Sequence, residues 1–173
     1  MVRSQMQMIK NSVKGQNKKM QDFYREQVDD NQDINFVSLN LIQGLVTLIQ
    51  NIQNGQTVAG NQIVLTAIET LQQSMYGPVS DNIQCVLNCR QFIKFLQNSI
   101  ERRGIKSCVE KGQDELVLIS NTELFLQYMR FVKYLFSTAG EQMVECYDTP
   151  YLIHNLNFIF EQIYQPHTRL FQH

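Results

Sequence analysis

At 173 residues, with 43% of them apolar, the chain suits one domain, or at most one domain plus a short appendage, and can bury a sizeable core. Its formal net charge is -1 and only 18% of residues are charged, so Gln and Asn, spread through every segment, supply much of the polarity. There is no basic surplus or stripe of the kind nucleic-acid binders carry, which argues against that class. The small groups Lys14, Lys18, Lys19 and Arg102, Arg103, Lys106, Lys111 read as solvated helix faces and ends. Residues 1–10 are polar and lack the apolar run of a secretory leader. The most apolar stretch, 36–49, is broken by Asn40, Gln43 and Gly44 and is too short to span a bilayer. A membrane part, if the protein serves one, is expected elsewhere.

In chain order, a mostly polar first helix is predicted over 5–27, with Met20, Phe23, Tyr24 and Val28 at its C-terminal end, so only that end is expected to dock firmly. The next helix is expected to be capped by Asp33 and to run to about Gln53. Its stripe is Ile34, Val37, Leu41, Leu45, Leu48 and Ile52, widened by Leu39, Ile42, Val46 and Ile49, and so wide an arc predicts a central helix. Gly44 in its middle suggests a close helix crossing.

A third helix, 61–76, presents Val64, Ala67, Ile68, Leu71 and Met75 on one face. Gly77 and Pro78 stop it: Gly supplies left-handed backbone and Pro cannot continue the helix. Asp81 is expected to cap a fourth helix, with Gln84 completing a capping box. That helix carries Val86, Cys89, Ile93, Leu96 and Ile100 to about Arg103. Residues 104–114 are polar, hold two glycines, and read as a protease-sensitive loop. A fifth helix over 115–137, with a break near Ser120-Asn121, is expected to bury Phe125, Tyr128, Met129, Val132, Leu135 and Phe136. A sixth starts at Thr149 and Pro150, buries Leu152, Leu156, Ile159, Phe160 and Ile163, and ends at Pro166. The fold expected is all-α, an antiparallel helical bundle or a short armadillo-like α-solenoid of about five to six helices. The whole chain, 1–173, reads as one helical domain. Within it are an arm at 1–19, a core at 20–103, the loop at 104–114, C-terminal helices at 115–165 and a tail at 166–173.

Chemistry is sparse. Cys85 and Cys89 are spaced to share a helix face and could supply half a zinc site. The other half would have to come from Cys108, Cys146, His154, His167 or His173, none at a tight spacing, so buried thiols are the better reading. With no secretory leader, all four cysteines are expected to be reduced. Asp29-Asp30-Asn31-Gln32-Asp33 opens like a calcium loop but has Ile34 where the sixth position requires Gly and Asn40 where the twelfth requires an acid. No phosphate-cradling Gly loop, paired-His zinc motif or nucleophile elbow occurs. No catalytic residue, cofactor or metal is therefore assigned, and no enzyme is expected.

Met20-Gln21-Asp22-Phe23-Tyr24-Arg25-Glu26-Gln27 with Asn31 and Asn35, then Ile68-Glu69-Thr70-Leu71, Tyr76-Gly77-Pro78, Asn82 and Gln84, resemble the homology-associated domain shared by inositol trisphosphate receptors and ryanodine receptors. Val79 stands where many members carry cysteine, and Ile83 separates the Asn and Gln that are usually adjacent. The resemblance covers about Met20 to Ile100; beyond Gly104 only helicity agrees. It implies a cytosolic helical module of a large tetrameric calcium-release channel of the endoplasmic reticulum, whose partners are other domains or subunits of that channel. Such a module relays motion from ligand-binding arms toward the pore. It implies no ligand-binding residue here. The alternative is a free-standing helical adaptor for protein partners, consistent with a chain that opens on Met and closes on a polar tail.

Overall fold

The computed structural model describes residues 2–27, 38–52, 57–77, 79–106 and 115–146. Among these residues the chain is entirely helical, and seven helices replace the five to six expected: α1 (Val2–Val13), α2 (Lys18–Arg25), α3 (Leu41–Asn51), α4 (Val58–Met75), α5 (Ser80–Leu87), α6 (Arg90–Lys106) and α7 (Glu115–Cys146).

The larger count comes from two breaks. The first predicted helix splits because Gly15 and Gln16 both adopt left-handed backbone, φ 81° and 61°. Asn17 then caps α2 by accepting from the Met20 N–H. The fourth splits at Asn88–Cys89, where Cys89 N–H turns back to the Val86 carbonyl and α6 restarts. Neither Gly nor Pro marks that second break.

The centre of the fold is α4, against which α1, α2, α3, α5 and α7 all pack. Its predicted face holds: Val64, Ala67, Ile68, Leu71 and Met75 are fully buried. Each large apolar side chain buried in this way contributes about 1.5–3 kcal/mol relative to exposure. Its other side is small and polar, with Thr66, Thr70 and Ser74 buried and each hydroxyl bonded back to a carbonyl of its own helix. Short side chains there allow a close approach by α1. Thr70 Oγ1 also reaches the Met6 carbonyl at 3.4 Å, and Lys10 pairs with Glu69 at 2.6 Å.

Several expectations change accordingly. The N-terminal arm docks: Met6 and Val13 are buried while Phe23 is half exposed. In α3 the buried row is Ile42, Leu45, Val46 and Ile49; Leu41, Leu48 and Ile52 are only partly covered, and Leu39 lies before the helix, 66% exposed. Gly44 marks no crossing, since a Cβ there would meet nothing within 4 Å. The N-cap of α3 is Asn40, which accepts from Gln43 N–H at 2.9 Å. Asp33, Ile34, Val37 and Pro78 lie outside the described residues.

Helix α6 carries Phe92, Ile93, Leu96 and Ile100 into the core and runs on to Lys106, into the stretch expected to be loop. Phe92 and Phe95 meet Phe131 and Tyr128 of α7 edge to face, both pairs at 6.3 Å. Helix α7 buries Phe125, Tyr128, Val132 and Leu135 as expected, with Leu124 and Phe131 beside them. It does not break at Ser120-Asn121: those side chains receive the buried Asn61 amide at 2.6 and 2.8 Å and tie α7 to α4. Its bend comes later, at Ala139 (φ -144°, ψ 44°), and turns Met143 into the core. The sixth predicted helix, from Thr149, lies outside the described residues.

Candidate functional site

The last four carbonyls of any α-helix lack partners within the helix. At the end of α4 the cap N–H of Tyr76 turns back to the Gln73 carbonyl at 3.4 Å, and the carbonyls of Ser74, Met75 and Tyr76 project beyond the helix. Side chains from three other helices meet them. From α2, Gln21 Nε2 donates to the Gln73 carbonyl at 3.0 Å and to the Tyr76 carbonyl at 2.8 Å. From α5, Asn82 Nδ2 donates to the Ser74 carbonyl at 2.8 Å and to the Gln21 carbonyl at 3.1 Å. From α7, the Tyr134 hydroxyl donates to the Met75 carbonyl at 2.7 Å. Gln21 and Asn82 are fully buried.

Gln21 Oε1 accepts from no described residue. That cost is outweighed, because without the Gln21 amide two helix-end carbonyls would lose a donor. Asn82 is satisfied at both ends, since its Oδ1 accepts from Arg25 Nε at 3.0 Å. Arg25 also faces Glu26 at 3.2 Å, Asp22 at 3.5 Å and Asp81 at 3.6 Å. These ion pairs are solvent-facing and each contributes little to stability, about 0–1 kcal/mol. Their effect is to hold the guanidinium over Asn82.

The Tyr76–Gly77 turn locks against the same junction. Gly77 has φ 94°, and a Cβ there would stand 3.2 Å from three carbons of Gln16, itself in the left-handed turn between α1 and α2. The two turns therefore interlock, and both the backbone angle and the space require glycine. Tyr76 packs edge to face on Tyr134 at 4.9 Å, and its hydroxyl accepts from Gln72 Nε2 at 2.9 Å. Burial, then the neighbouring Tyr76, pushes the Tyr134 hydroxyl up to about 12.

Sequence reasoning singled out Tyr76-Gly77, the 20–27 helix, Asn82 and Gln84, and the fold brings these together. The roles differ from those expected. Asp81 does not cap α5, whose N-cap is Val79 with no side-chain bond; it lies within reach of Arg25. Gln84 reaches Gln142 of α7 at 2.8 Å instead of closing a capping box. Tyr134 was missed: no local pattern marks a tyrosine on an apolar helix as a cap for another helix.

Cys85 and Cys89 sit one turn apart at the α5–α6 break, both free and partly exposed. Cys89 Sγ donates to the Cys85 carbonyl at 3.3 Å, and Asn40 Nδ2 donates to Cys85 Sγ at 3.4 Å. Burial, then Cys85, raises the Cys89 thiol. Among the described residues no three His, Cys, Asp or Glu side chains gather to hold a metal. Cys108, His154, His167, His173 and the Cys146 side chain lie outside what is described. Lys14, Lys18 and Lys19 are exposed around the α1–α2 turn, as solvated charges are expected to be. The calcium-like acidic run is outside the described residues except for its flanks. There Gln27 holds Leu39 by both amide atoms, Oε1 accepting from its N–H at 2.6 Å and Nε2 donating to its carbonyl at 3.0 Å.

Among the described residues no helix is long and apolar enough to cross a membrane. The family model described as RyR and IP3R Homology associated matches residues 1–100, which contain α1 to α5, most of α6 and every member of the junction except those on α7. No curated protein and no solved structure shows significant similarity to the chain.

Proposed function

Since the chain belongs to the RyR and IP3R Homology associated family, we propose that it is a cytosolic regulatory and scaffold domain of an intracellular calcium-release channel of the endoplasmic reticulum. In this reading it relays conformational change between ligand-binding arms and pore, its partners being other domains or subunits of a tetrameric channel. It has no catalytic, cofactor or nucleic-acid role. The observation that carries the reading is the junction at the end of α4. There side chains from α2, α5 and α7 converge on one helix terminus, so a displacement of any one helix is felt by the other three. A relay needs discrete packing arrangements linked through such shared contacts.

Purifying the tagged protein from its own cells tests the assignment. Recovery within a large calcium-conducting membrane assembly supports it, and a shift in that assembly's ligand sensitivity on Gln21→Ala, with conduction unchanged, supports the relay. A sole species of 20.2 kDa bound to other proteins would replace it with the adaptor reading. One observation favours that second reading: Leu116, Ile119 and Leu126 on α7 are 65%, 50% and 44% exposed. Apolar exposure along a helix is what a partner helix would cover.

A further inference from the structure

One apolar stripe runs across the α1–α2 turn. Met6, Ile9 and Val13 of α1 are followed by Met20 and Phe23 of α2, at spacings of three, four, seven and three residues. Seven residues are close to two helical turns, so the stripe keeps its phase through 14–17 as it would on one unbroken helix. No proline stands in that segment, and only Gly15 and Asn17 lower its helix propensity. The break is instead made of backbone in a disfavoured region. Gln16 carries a full side chain at φ 61°, where only glycine sits without strain. A short hinge under strain is the feature that lets a terminal element leave its own chain for the same seat on another.

That seat lies on α4 and α2. Lys10 pairs with Glu69 at 2.6 Å, and Arg3 Nη1 donates to Gln62 Oε1 at 3.0 Å. Thr70 Oγ1 donates to the Met6 carbonyl at 3.4 Å, and the Ser12 and Tyr24 hydroxyls are hydrogen-bonded at 2.9 Å. Met6 and Val13 are buried there. None of these contacts uses the covalent link through 14–17, so an α1 from a second copy makes all of them.

We propose that the chain exchanges α1 with a second copy of itself. Residues 14–17 straighten, α1 and α2 become one helix over 2–25, and each α1 seats on the other copy's α4 and α2. On that helix residues 12 and 24 stand about 18 Å apart, so the Ser12–Tyr24 bond then forms only between chains. Straightening also lifts Gln16 off the Gly77 turn, so exchange releases the interlock beside the end of α4. The exchange does not depend on the channel assignment.

The full chain, refolded from an equal mixture of light and heavy-nitrogen-labelled protein, tests it. Light scattering after size exclusion is expected to show a dimer of twice 20.2 kDa that grows with concentration. A carbodiimide joins the Lys10 amine to the Glu69 carboxylate, and the masses of the linked tryptic peptides show which chains are joined. In the monomer these peptides are all light or all heavy, whereas in the dimer half are expected to be mixed. Gly15→Ala acts on the turn through its backbone angle alone, since a Cβ there meets nothing within 4 Å, and Gln16→Gly relieves that turn. With two hinges per dimer, the first should raise and the second lower the dimerisation constant by about tenfold or more. A dimer whose Lys10–Glu69 links never mix isotopes overturns the proposal. So does a Gly15→Ala chain that stays monomeric up to its solubility limit, or a constant that neither substitution moves. The isotope readout uses wild-type protein and needs no variant to fold.

Discussion

Removing the Asn82 side chain beyond Cβ takes one donor from two buried carbonyls at once, those of Ser74 and Gln21. The Ser74 carbonyl is left without a partner, at about 1–3 kcal/mol, while that of Gln21 keeps the Arg25 N–H within α2. Loss of the second donor to Gln21 and of the packed amide adds to this, so Asn82→Ala is expected to lose about 2–4 kcal/mol. Arg25 contributes little to the loss, because it keeps Asp22, Glu26 and Asp81 and is partly solvated. Against a total stability of about 5–15 kcal/mol this is a large fraction. In a chain of this length it corresponds to a fall in Tm of roughly 5–15 °C. Urea unfolding of the full chain followed by its helical circular dichroism measures it, with a lower midpoint at unchanged slope. Asn88→Ala, at an exposed position just beyond α5, is the control and should stay within about 0.5 kcal/mol. Asn82→Asp separates charge from geometry: it gains an ion pair with Arg25 but turns an oxygen toward two carbonyls, so it should be at least as unstable as the alanine variant. A loss below about 1 kcal/mol in Asn82→Ala would refute the claim that the amide holds the end of α4.

Gly77→Ala should cost about 1–2 kcal/mol from its left-handed backbone alone, and pairing it with Gln16→Ala should recover only the contact part of the loss in the same assay. Gly44→Ala should do the opposite and stabilise the chain by about 0.5–1 kcal/mol, since the added methyl meets nothing and helix propensity improves. Ile49→Ala, at a fully buried position, should cost about 2–5 kcal/mol, and Leu45→Ala, at the core's edge, should fall at the lower end. Tyr134 titrates at about 12 in the folded chain against 10.0 for the free side chain. Its contribution is therefore fully present below pH 10 and is lost as pH rises from 10 toward 12. Tyr134→Phe should cost about 1 kcal/mol at neutral pH and flatten that alkaline decline in unfolding measured against pH.

What was legible in the sequence follows from what local period records. The buried row of α4 and the Gly77 stop were readable because a helical repeat and a left-handed residue are local properties. The α1–α2 break was also readable, at Gly15, but the polar run around it masked the signal. The Asn88–Cys89 break was not: nothing in those residues forbids helix, and packing of α6 against α7 imposes it. Gly44 lies on the solvent side of α3, where a small residue serves no crossing. Asp81 looked like a cap by spacing alone, yet Val79 begins the turn and Arg25 stands beside the carboxylate. Most of the α4 terminus was beyond local reading in principle: Asn82 lies 8 residues from the Ser74 carbonyl, but Gln21 and Tyr134 lie more than fifty residues away in sequence from the carbonyls they meet. The family-like motifs pointed to Gln21 and Asn82 without saying what either does.

The distribution of those donors along the chain has a consequence for synthesis. When α4 leaves the ribosome, Gln21 is already available, Asn82 follows within a few residues, and Tyr134 is still 59 residues from the Met75 carbonyl it will occupy. Phe92 and Phe95 likewise have no aromatic wall until Phe131 and Tyr128 emerge. A nascent chain halted near residue 100, where the family match stops, has the motif residues but neither the last hydrogen bond nor the covering helix. The cooperative folding unit is therefore longer than the unit of sequence kinship, and it closes only once α7 has been made.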